Sequence, residues 1–320
     1  MIGEWKVFLL ERAAQWDLPR TGEWSCLFNN NYHSHYSNLN LLWFHNGGQF
    51  PRVVAKAFHE PQVPKQEFEN LKQVYSRAPD WVPRPLHFGL QGKFWMLWME
   101  GVPGLPFRAR NQCPPAVMRS MIEMLGLMHG AVRNSGGRPD HDRYRRTVSE
   151  PLQTLAQFGA AASIRDGCAK VAARATVNWL DSQPVIPQHG DLFSGNVLSH
   201  RGRWYVIDWE SFGAIDFPFY DLFTLLFSLL RAGGETPDQW DPSWVKQTPA
   251  LIECYARVLG LSPADVPLLL PLTLANWFHL QWSDGRKEFT SRMYKTIQHY
   301  FEHLNLWEKV FLPQLGSSSA

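Results

Sequence analysis

Residues 186–221 constrain this chain more than any other stretch. They begin Ile186-Pro187-Gln188-His189-Gly190-Asp191-Leu192-Phe193-Ser194-Gly195-Asn196-Val197-Leu198 and continue to Trp204-Tyr205-Val206-Ile207-Asp208-Trp209-Glu210, with Asp216 and Asp221 behind. His189-Gly190-Asp191 sets a carboxylate on a turn. Asn196 follows five residues later, just before an apolar pair, and Asp208 closes the apolar run Trp204–Ile207, seventeen residues after Asp191. Asp, Asn and Asp are oxygen donors of the kind a hard cation such as Mg²⁺ prefers. A carboxylate left off the metal can take a proton from an attacking hydroxyl. Positioned charge, a bound cation and one base are what phosphoryl transfer requires. The plainer reading makes Asp191 a helix cap and Asp208 the end of a surface strand. It leaves the combination and its spacing without a cause.

The bulk properties bound the rest. A chain of 320 residues can form two domains or lobes around substantial cores. Hydrophobic residues make up 45%, which fits a globular protein. The net charge of +2 supplies no drive toward nucleic acid or an anionic membrane surface. Cys26, Cys113, Cys168 and Cys254 are widely separated and form no metal-binding spacing, so they read as reduced thiols of a cytoplasmic protein. The first residues show no signal peptide. The apolar stretches 222–230 and 266–278 are too short to span a membrane, and Pro267 and Pro271 interrupt the second. Both read as buried helices.

His189-Gly190-Asp191-Leu192-Phe193-Ser194-Gly195-Asn196 is similar to the catalytic loop of kinase-like folds, and Ile207-Asp208-Trp209-Glu210 resembles their metal-binding segment. The whole pattern, through Asp216 and Asp221, resembles most the aminoglycoside phosphotransferase and choline kinase superfamily. The resemblance is close over 186–221 and loose over most of the chain. It implies an α+β, two-lobed protein-kinase-like fold. An N-terminal lobe, residues 1–100, would hold an antiparallel β-sheet with a helix and bind the nucleotide. A larger, mainly helical lobe, residues 101–320, would carry catalysis and the acceptor. The resemblance makes Asp191 the base, Asn196 and Asp208 the Mg²⁺ ligands, and His189 a support for the loop. Asp216 and Asp221 would be mainly structural.

Along the chain, residues 1–20 show a helical apolar stripe at Trp5, Phe8, Leu9, Ala13 and Trp16. Ser25–Phe28 reads as a strand. The runs Asn38–Phe44 and Arg52–Phe58 flank Asn46-Gly47-Gly48, a hairpin signal. A kinase would place its phosphate-covering loop here. This chain has no glycine between Gly22 and Gly47, and only Ser37-Asn38 resembles the family's Ser-Asn pair. Ser34 and Ser37 would donate to phosphate instead. His33 and His35 read as surface loop.

Lys56 sits among apolar neighbours in a strand. Alone it reads as a lysine snorkelling to the surface. In the family such a lysine precedes a helix and reaches the α- and β-phosphates, and the helix carries its carboxylate partner. Glu67 matches that partner, with Glu69 as the competing choice on another helix face. Glu100-Gly101-Val102-Pro103-Gly104 is a strong breaker and marks the lobe boundary. By resemblance, backbone around Trp98–Gly101 would meet an adenine edge, and Met96, Leu97 and Met99 would line its pocket or pack the core.

Beyond residue 105 the periodicity turns helical at 116–132, 156–180, 222–231, 249–259, 267–282 and 288–307. His129 reads as a packed or capping histidine. The mixed-charge run Arg138–Arg146 reads as a solvated loop. Trp277, His279, Trp282 and Asp284 are candidates for the acceptor site, each with a structural role as the plainer reading.

Together these readings define a Mg²⁺- and ATP- (or GTP-) dependent phosphotransferase acting on a hydroxyl of a small acceptor such as a sugar, amino-sugar or amino alcohol. A protein kinase fits less well. Only twelve residues separate Asp208 from Asp221, no Ala-Pro-Glu triplet occurs, and Phe193 stands where protein kinases usually carry lysine. The alternative from another class is a nucleotide-binding pseudokinase or scaffold, which the glycine-poor phosphate segment favours.

Overall fold

The computed structural model describes residues 2–31, 38–107, 114–133, 142–158, 161–231, 234–283, 285 and 287–312. Ser34, Ser37, His33, His35, Cys113 and Asp284 lie outside them, as do residues 138–141 of the mixed-charge run. The chain divides into two compact units. One is Met1–Phe107 with Gly195–Phe212, and the other is Arg108–Ser194 with Gly213–Ala320.

The first unit is built on a five-stranded antiparallel sheet in the order β1 (Trp24–Asn31), β2 (Asn38–His45), β3 (Val53–Phe58), β5 (Phe94–Glu100), β4 (Pro85–Gln91). The Asn46-Gly47 signal forms the expected turn between β2 and β3. Both residues take positive φ, 50° and 65°, and Asn46 Oδ1 accepts from the Glu23 N–H at 2.9 Å. A type I′ geometry needs that left-handed backbone and matches the strand twist.

Side chains alternate across each strand, so one sheet face takes Leu41, Trp43, Val53, Ala55, Ala57, Met96 and Trp98. Helix α1 (Ile2–Arg12) and the residues after it cover that face with Trp5, Leu9, Ala13 and Trp16. Trp98 is fully buried there, 5.8 Å from Trp16 and 6.3 Å from Trp43 between ring centroids. Trp98→Ala is expected to destabilise the unit by about 3–5 kcal/mol, as for a large aromatic removed from a packed core. Urea unfolding followed by tryptophan fluorescence measures this.

The alternation sends Lys56 to the opposite face, which helix α2 (Gln62–Tyr75) covers by packing on β4 and β5. Gly101 N–H donates to the Arg52 carbonyl at 2.9 Å, and a Cβ at Gly101 would lie 2.1 Å from the Pro51 oxygen. Only glycine admits that approach. The breaker after β5 is therefore also a tight backbone crossing.

A small second sheet joins this unit from far along the chain. Its order is β6 (Leu105–Pro106), β7 (Val197–His200), β8 (Arg203–Val206). Phe107 N–H donates to Val197 O at 2.7 Å, and Val206 N–H to Trp81 O at 2.7 Å. These bonds hold residues 195–212 against the strand-rich unit.

The second unit is helical: α3 (Pro115–Val132), α4 (Glu150–Phe158), α5 (Ala162–Arg174), α6 (Val177–Ser182), α7 (Tyr220–Leu230), α8 (Pro242–Leu259), α9 (Val266–Ser283), α10 (Lys287–Glu302) and α11 (Leu304–Phe311). Helix α7 is buried along almost its whole length, which explains its unbroken apolar sequence. Two readings change. Residues 156–180 form three helices rather than one region. Helix α8 starts at Pro242, capped by Asp241, whose carboxylate accepts from the Ser243 N–H at 2.8 Å, and it carries Pro249 inside. Helix α9 runs through Pro271, as the helical periodicity of 267–282 implies, with burial along the stretch offsetting the proline's cost. No helix among the described residues is long and apolar enough to cross a membrane.

Candidate active site

In the first unit, three charged side chains meet under the sheet. Lys56 Nζ lies 2.7 Å from Glu67 Oε1 and 2.6 Å from Asp208 Oδ1. The geometry follows from local structure. Lys56 projects from β3 toward α2, Glu67 sits on the buried face of α2, and Asp208 follows the last strand of the small sheet. The choice between Glu67 and Glu69 is decided by the helix phase. Glu67 is 1% exposed, whereas Glu69 faces outward and pairs with Lys72 at 3.1 Å.

Burial pulls the Lys56 ammonium toward its neutral form, but the Asp208 and Glu67 carboxylates outweigh that pull and raise its pKa above the ordinary lysine range. Lys56 therefore stays charged. A raised folded-state pKa adds stability that is complete below the unfolded lysine value, about 10.4, and is lost only as pH climbs through the higher folded value. The pair is expected to hold unchanged across neutral and mildly alkaline pH. Lys56→Met leaves the Glu67 carboxylate buried beside an apolar chain. Loss of one partner of a buried pair is expected to cost about 3–5 kcal/mol. Adding Glu67→Leu should recover much of that loss, and a double-mutant cycle in urea measures it.

Asn196 and Asp208 leave the same end of the β7–β8 hairpin. Val197 pairs with Val206, Ile207 N–H donates to Asn196 O at 3.0 Å, and Asp208 comes next. Asp208 has φ 72°, a left-handed conformation that Asp tolerates better than most residues. Oxygen atoms of Glu67, Asp208 and Glu210 lie within 4.8 Å of one another. The set is all hard oxygen donors, with Asn196 in the turn just before β7, and so suits Mg²⁺ rather than a softer ion. Glu210 and Asn70 carried no role in the sequence reading. A polar residue three positions from Glu67, in mid-helix, was the available signal for Asn70. Met99 is buried in β5, and Gly101 uses its N–H within the backbone crossing described above.

In the second unit, the His189-Gly190-Asp191 turn is pinned from below by Asp221 at the start of α7. Asp221 is fully buried and accepts from the backbone N–H groups of both His189 and Gly190, the latter at 3.1 Å. Its Oδ2 is also 3.0 Å from His129 Nε2, and His129 Nδ1 is 2.6 Å from the Tyr255 hydroxyl. Burial, then the nearby Asp221, pushes the Tyr255 pKa up, so the phenol keeps its proton. Tyr255 therefore donates to Nδ1 and the histidine donates from Nε2 to the carboxylate. The packed-histidine reading of His129 thus gains a specific partner on the loop's anchor.

Gln188 closes the arrangement, accepting from Asp221 N–H at 3.1 Å and donating to Ile186 O at 2.9 Å. His189 Nδ1 accepts from the Asp191 N–H at 3.3 Å. Gly190 takes φ 89°, a turn conformation that favours glycine.

The mixed-charge run is corrected at its described end. Arg143 is 1% exposed, its Nε bonds both oxygens of Asp216 at 3.0 and 3.1 Å, and its Nη1 donates to Leu180 O at 2.9 Å. Burial of an arginine is tolerated because Asp216 supplies the opposite charge. Of the acceptor candidates, Trp277 is buried and stacked on Phe227, with ring centroids 5.9 Å apart. His279 is bound to Thr154 at 2.8 Å, while Trp282 remains 41% exposed beside Phe158. Cys26, Cys168 and Cys254 are free thiols, and burial pushes that of Cys168 up to about 12.

An antiparallel sheet with a buried Lys–Glu pair, and a helical unit presenting an anchored His-Gly-Asp turn, define a kinase-like fold. The chain belongs to the phosphotransferase enzyme family, whose pattern it matches over residues 33–256. No curated protein matches it in sequence. Among solved structures, a choline kinase from Cryptosporidium parvum Iowa II is 12% identical, with a TM-score of 0.59 over 96% of this chain and 98% of that one. A Plasmodium vivax ethanolamine kinase is 11% identical, with a TM-score of 0.58 over 95% of this chain and 90% of that one. A thermostable mutant of an aminoglycoside phosphotransferase, solved with ADP and hygromycin B, is 14% identical, with a TM-score of 0.56 over 92% and 97%.

Proposed function

We propose that this phosphotransferase moves the γ-phosphoryl group of Mg²⁺-ATP to a hydroxyl of a small acceptor, such as a sugar, amino-sugar or amino alcohol. The observation that carries the reading is the buried Lys56 ammonium held between Glu67 and Asp208. A buried ion pair contributes little to stability compared with apolar packing, and phosphoryl transfer is a chemistry that makes use of a positioned ammonium.

In this reading Asp191 takes the proton of the acceptor hydroxyl. The hydroxyl oxygen forms a bond to the γ-phosphorus, the bond from that phosphorus to the β–γ bridging oxygen breaks, and ADP leaves with the bonding electrons. Lys56 orients the α- and β-phosphates, and Glu67 holds Lys56 in place. Asn196 and Asp208 would hold the cation. Bound there, it would neutralise charge on the phosphate oxygens. Phe193, 44% exposed two residues after the base, presents an apolar surface where protein kinases carry lysine, which supports a small acceptor over a peptide.

The test is transfer of label from γ-labelled ATP, with Mg²⁺, to a panel of neutral sugars, amino-sugars, choline-like amines and a metabolite extract. Label on a small molecule is expected. Mg²⁺-ATP raising the melting temperature with no label moved would favour the second reading, a nucleotide-binding pseudokinase. The absence of glycine between Gly22 and Gly47 is the observation on that side.

A further inference from the structure

We infer that Asn70 is a positioning residue for the metal-binding segment, setting the backbone after Asp208 and so aiming its carboxylate; the inference rests on the proposal that Asp208 holds the cation. Regular pairing of the small sheet stops at the Ile207 N–H, which donates to Asn196 O. The carbonyls of Trp209 and Glu210, which lie beyond that pairing, need donors from elsewhere. Asn70 Nδ2 supplies them, donating to Trp209 O at 2.9 Å and to Glu210 O at 3.1 Å. Trp209 O also accepts from the Phe212 N–H at 3.3 Å.

An amide nitrogen has two hydrogens, and both are used on adjacent carbonyls. Gln66 Nε2 donates to Asn70 Oδ1 at 2.8 Å, which fixes which end of the amide faces the segment. A flipped amide would set its oxygen against two carbonyl oxygens and its nitrogen against another nitrogen. Asn70 is 5% exposed, so water does not substitute freely for these bonds.

Asn70 lies three residues after Glu67 on the same buried face of α2. Helix α2 thus grips the segment twice. Glu67 holds the Asp208 side chain through Lys56, and Asn70 holds the backbone that follows it. Between the two grips stands the left-handed Asp208, at φ 72°. Glu67 also accepts from the Trp209 N–H, but without Asn70 the Glu210 carbonyl loses this donor and the segment can relax toward the commoner negative φ and swing the carboxylate. No other residue type of this size offers two donors and one acceptor in a plane.

The test is Mn²⁺ binding followed by electron paramagnetic resonance, on the full chain with the non-hydrolysable analogue AMP-PNP. Thermal unfolding is recorded in parallel. The variants are Asn70→Leu, Gln66→Leu, Asp208→Asn and, as a control on the exposed face of α2, Lys72→Ala. Asn70→Leu is expected to weaken Mn²⁺ binding by about 10–100-fold, the usual cost of losing a partner behind a metal ligand. Gln66→Leu should weaken it less, in the same direction, and Lys72→Ala should leave it unchanged.

If Asp208→Asn loses Mn²⁺ while folded Asn70→Leu binds as the native chain does, the inference is overturned and the metal assignment stands. If Asp208→Asn itself binds Mn²⁺ normally, the metal assignment fails and takes the inference with it. Should Asn70→Leu not fold, Gln66→Leu decides. Native affinity in that variant overturns the positioning role.

Discussion

Asp191→Asn is expected to lower phosphoryl transfer by at least about 10³-fold while leaving Mg²⁺-ATP binding close to native. The variant keeps size and shape and removes only the ability to accept a proton. A thousandfold loss corresponds to about 4 kcal/mol of barrier, within reach of the removal of a single general base. The Asp191 N–H is held by the His189 ring, and the preceding peptide N–H groups are held by Asp221. The turn should therefore keep its form in the variant. Steady-state transfer beside a nucleotide-induced shift in melting temperature checks both halves. Full activity in Asp191→Asn would remove the base from this residue, whatever the acceptor is.

Asp221→Ala is expected to be more damaging, because it strikes fold and turnover together. Asp221 is fully buried and receives donors from the backbone of His189 and Gly190 and from His129. Removing it orphans those buried donors, at a cost of about 3–5 kcal/mol in the helical unit, comparable to breaking a buried pair. Transfer should fall even under conditions where the variant is folded, because the Asp191 turn loses its anchor. Asp221→Asn is the informative companion. Its amide offers one acceptor oxygen, but its nitrogen would face a peptide N–H or the His129 N–H. It should fold better than Asp221→Ala and still lose most activity. Circular dichroism melts and transfer rates, measured on the same preparations, separate the two losses. A stable Asp221→Ala with native turnover would show that the turn holds itself.

The sequence made several of these features legible because each depends on short-range chemistry. Asn46-Gly47 predicted its hairpin since that turn demands positive φ at both positions. The strand reading of residues 52–58 matches β3, and alternation within β3 then puts Lys56 on the face opposite Ala55 and Ala57. The order His189-Gly190-Asp191, Asn196, Asp208 predicted the class of chemistry before any contact was visible. Other features were illegible for a physical reason. Arg143 sits in a run of charge that reads as solvated. Its burial depends on Asp216, 73 residues away. His129 looked like packing because nothing near it in sequence names Asp221 or Tyr255. Pro249 reads as the first residue of a helix, whereas Pro271 lies inside the helical stretch 267–282. They are carried inside α8 and α9 because the surrounding burial outweighs the local cost of a missing N–H.

What the sequence determined by itself is the set of parts: a strand-rich first stretch, a helix-rich remainder, a lysine, and a motif of closely spaced Asp and Asn oxygen donors. These follow from periodicity, turn chemistry and donor type, all properties of neighbouring residues. What only the tertiary structure decided is which parts meet. Glu67 rather than Glu69 pairs with Lys56, because the face of α2 that the sheet buries is set by packing. Residues 195–212 join the first unit, because β7 finds β6 and Val206 finds Trp81. Asn70 meets the carbonyls of Trp209 and Glu210 across 139 and 140 residues of chain. Such long-range partnerships rest on burial and unmet hydrogen-bonding groups, which a chain exposes only once its elements have packed.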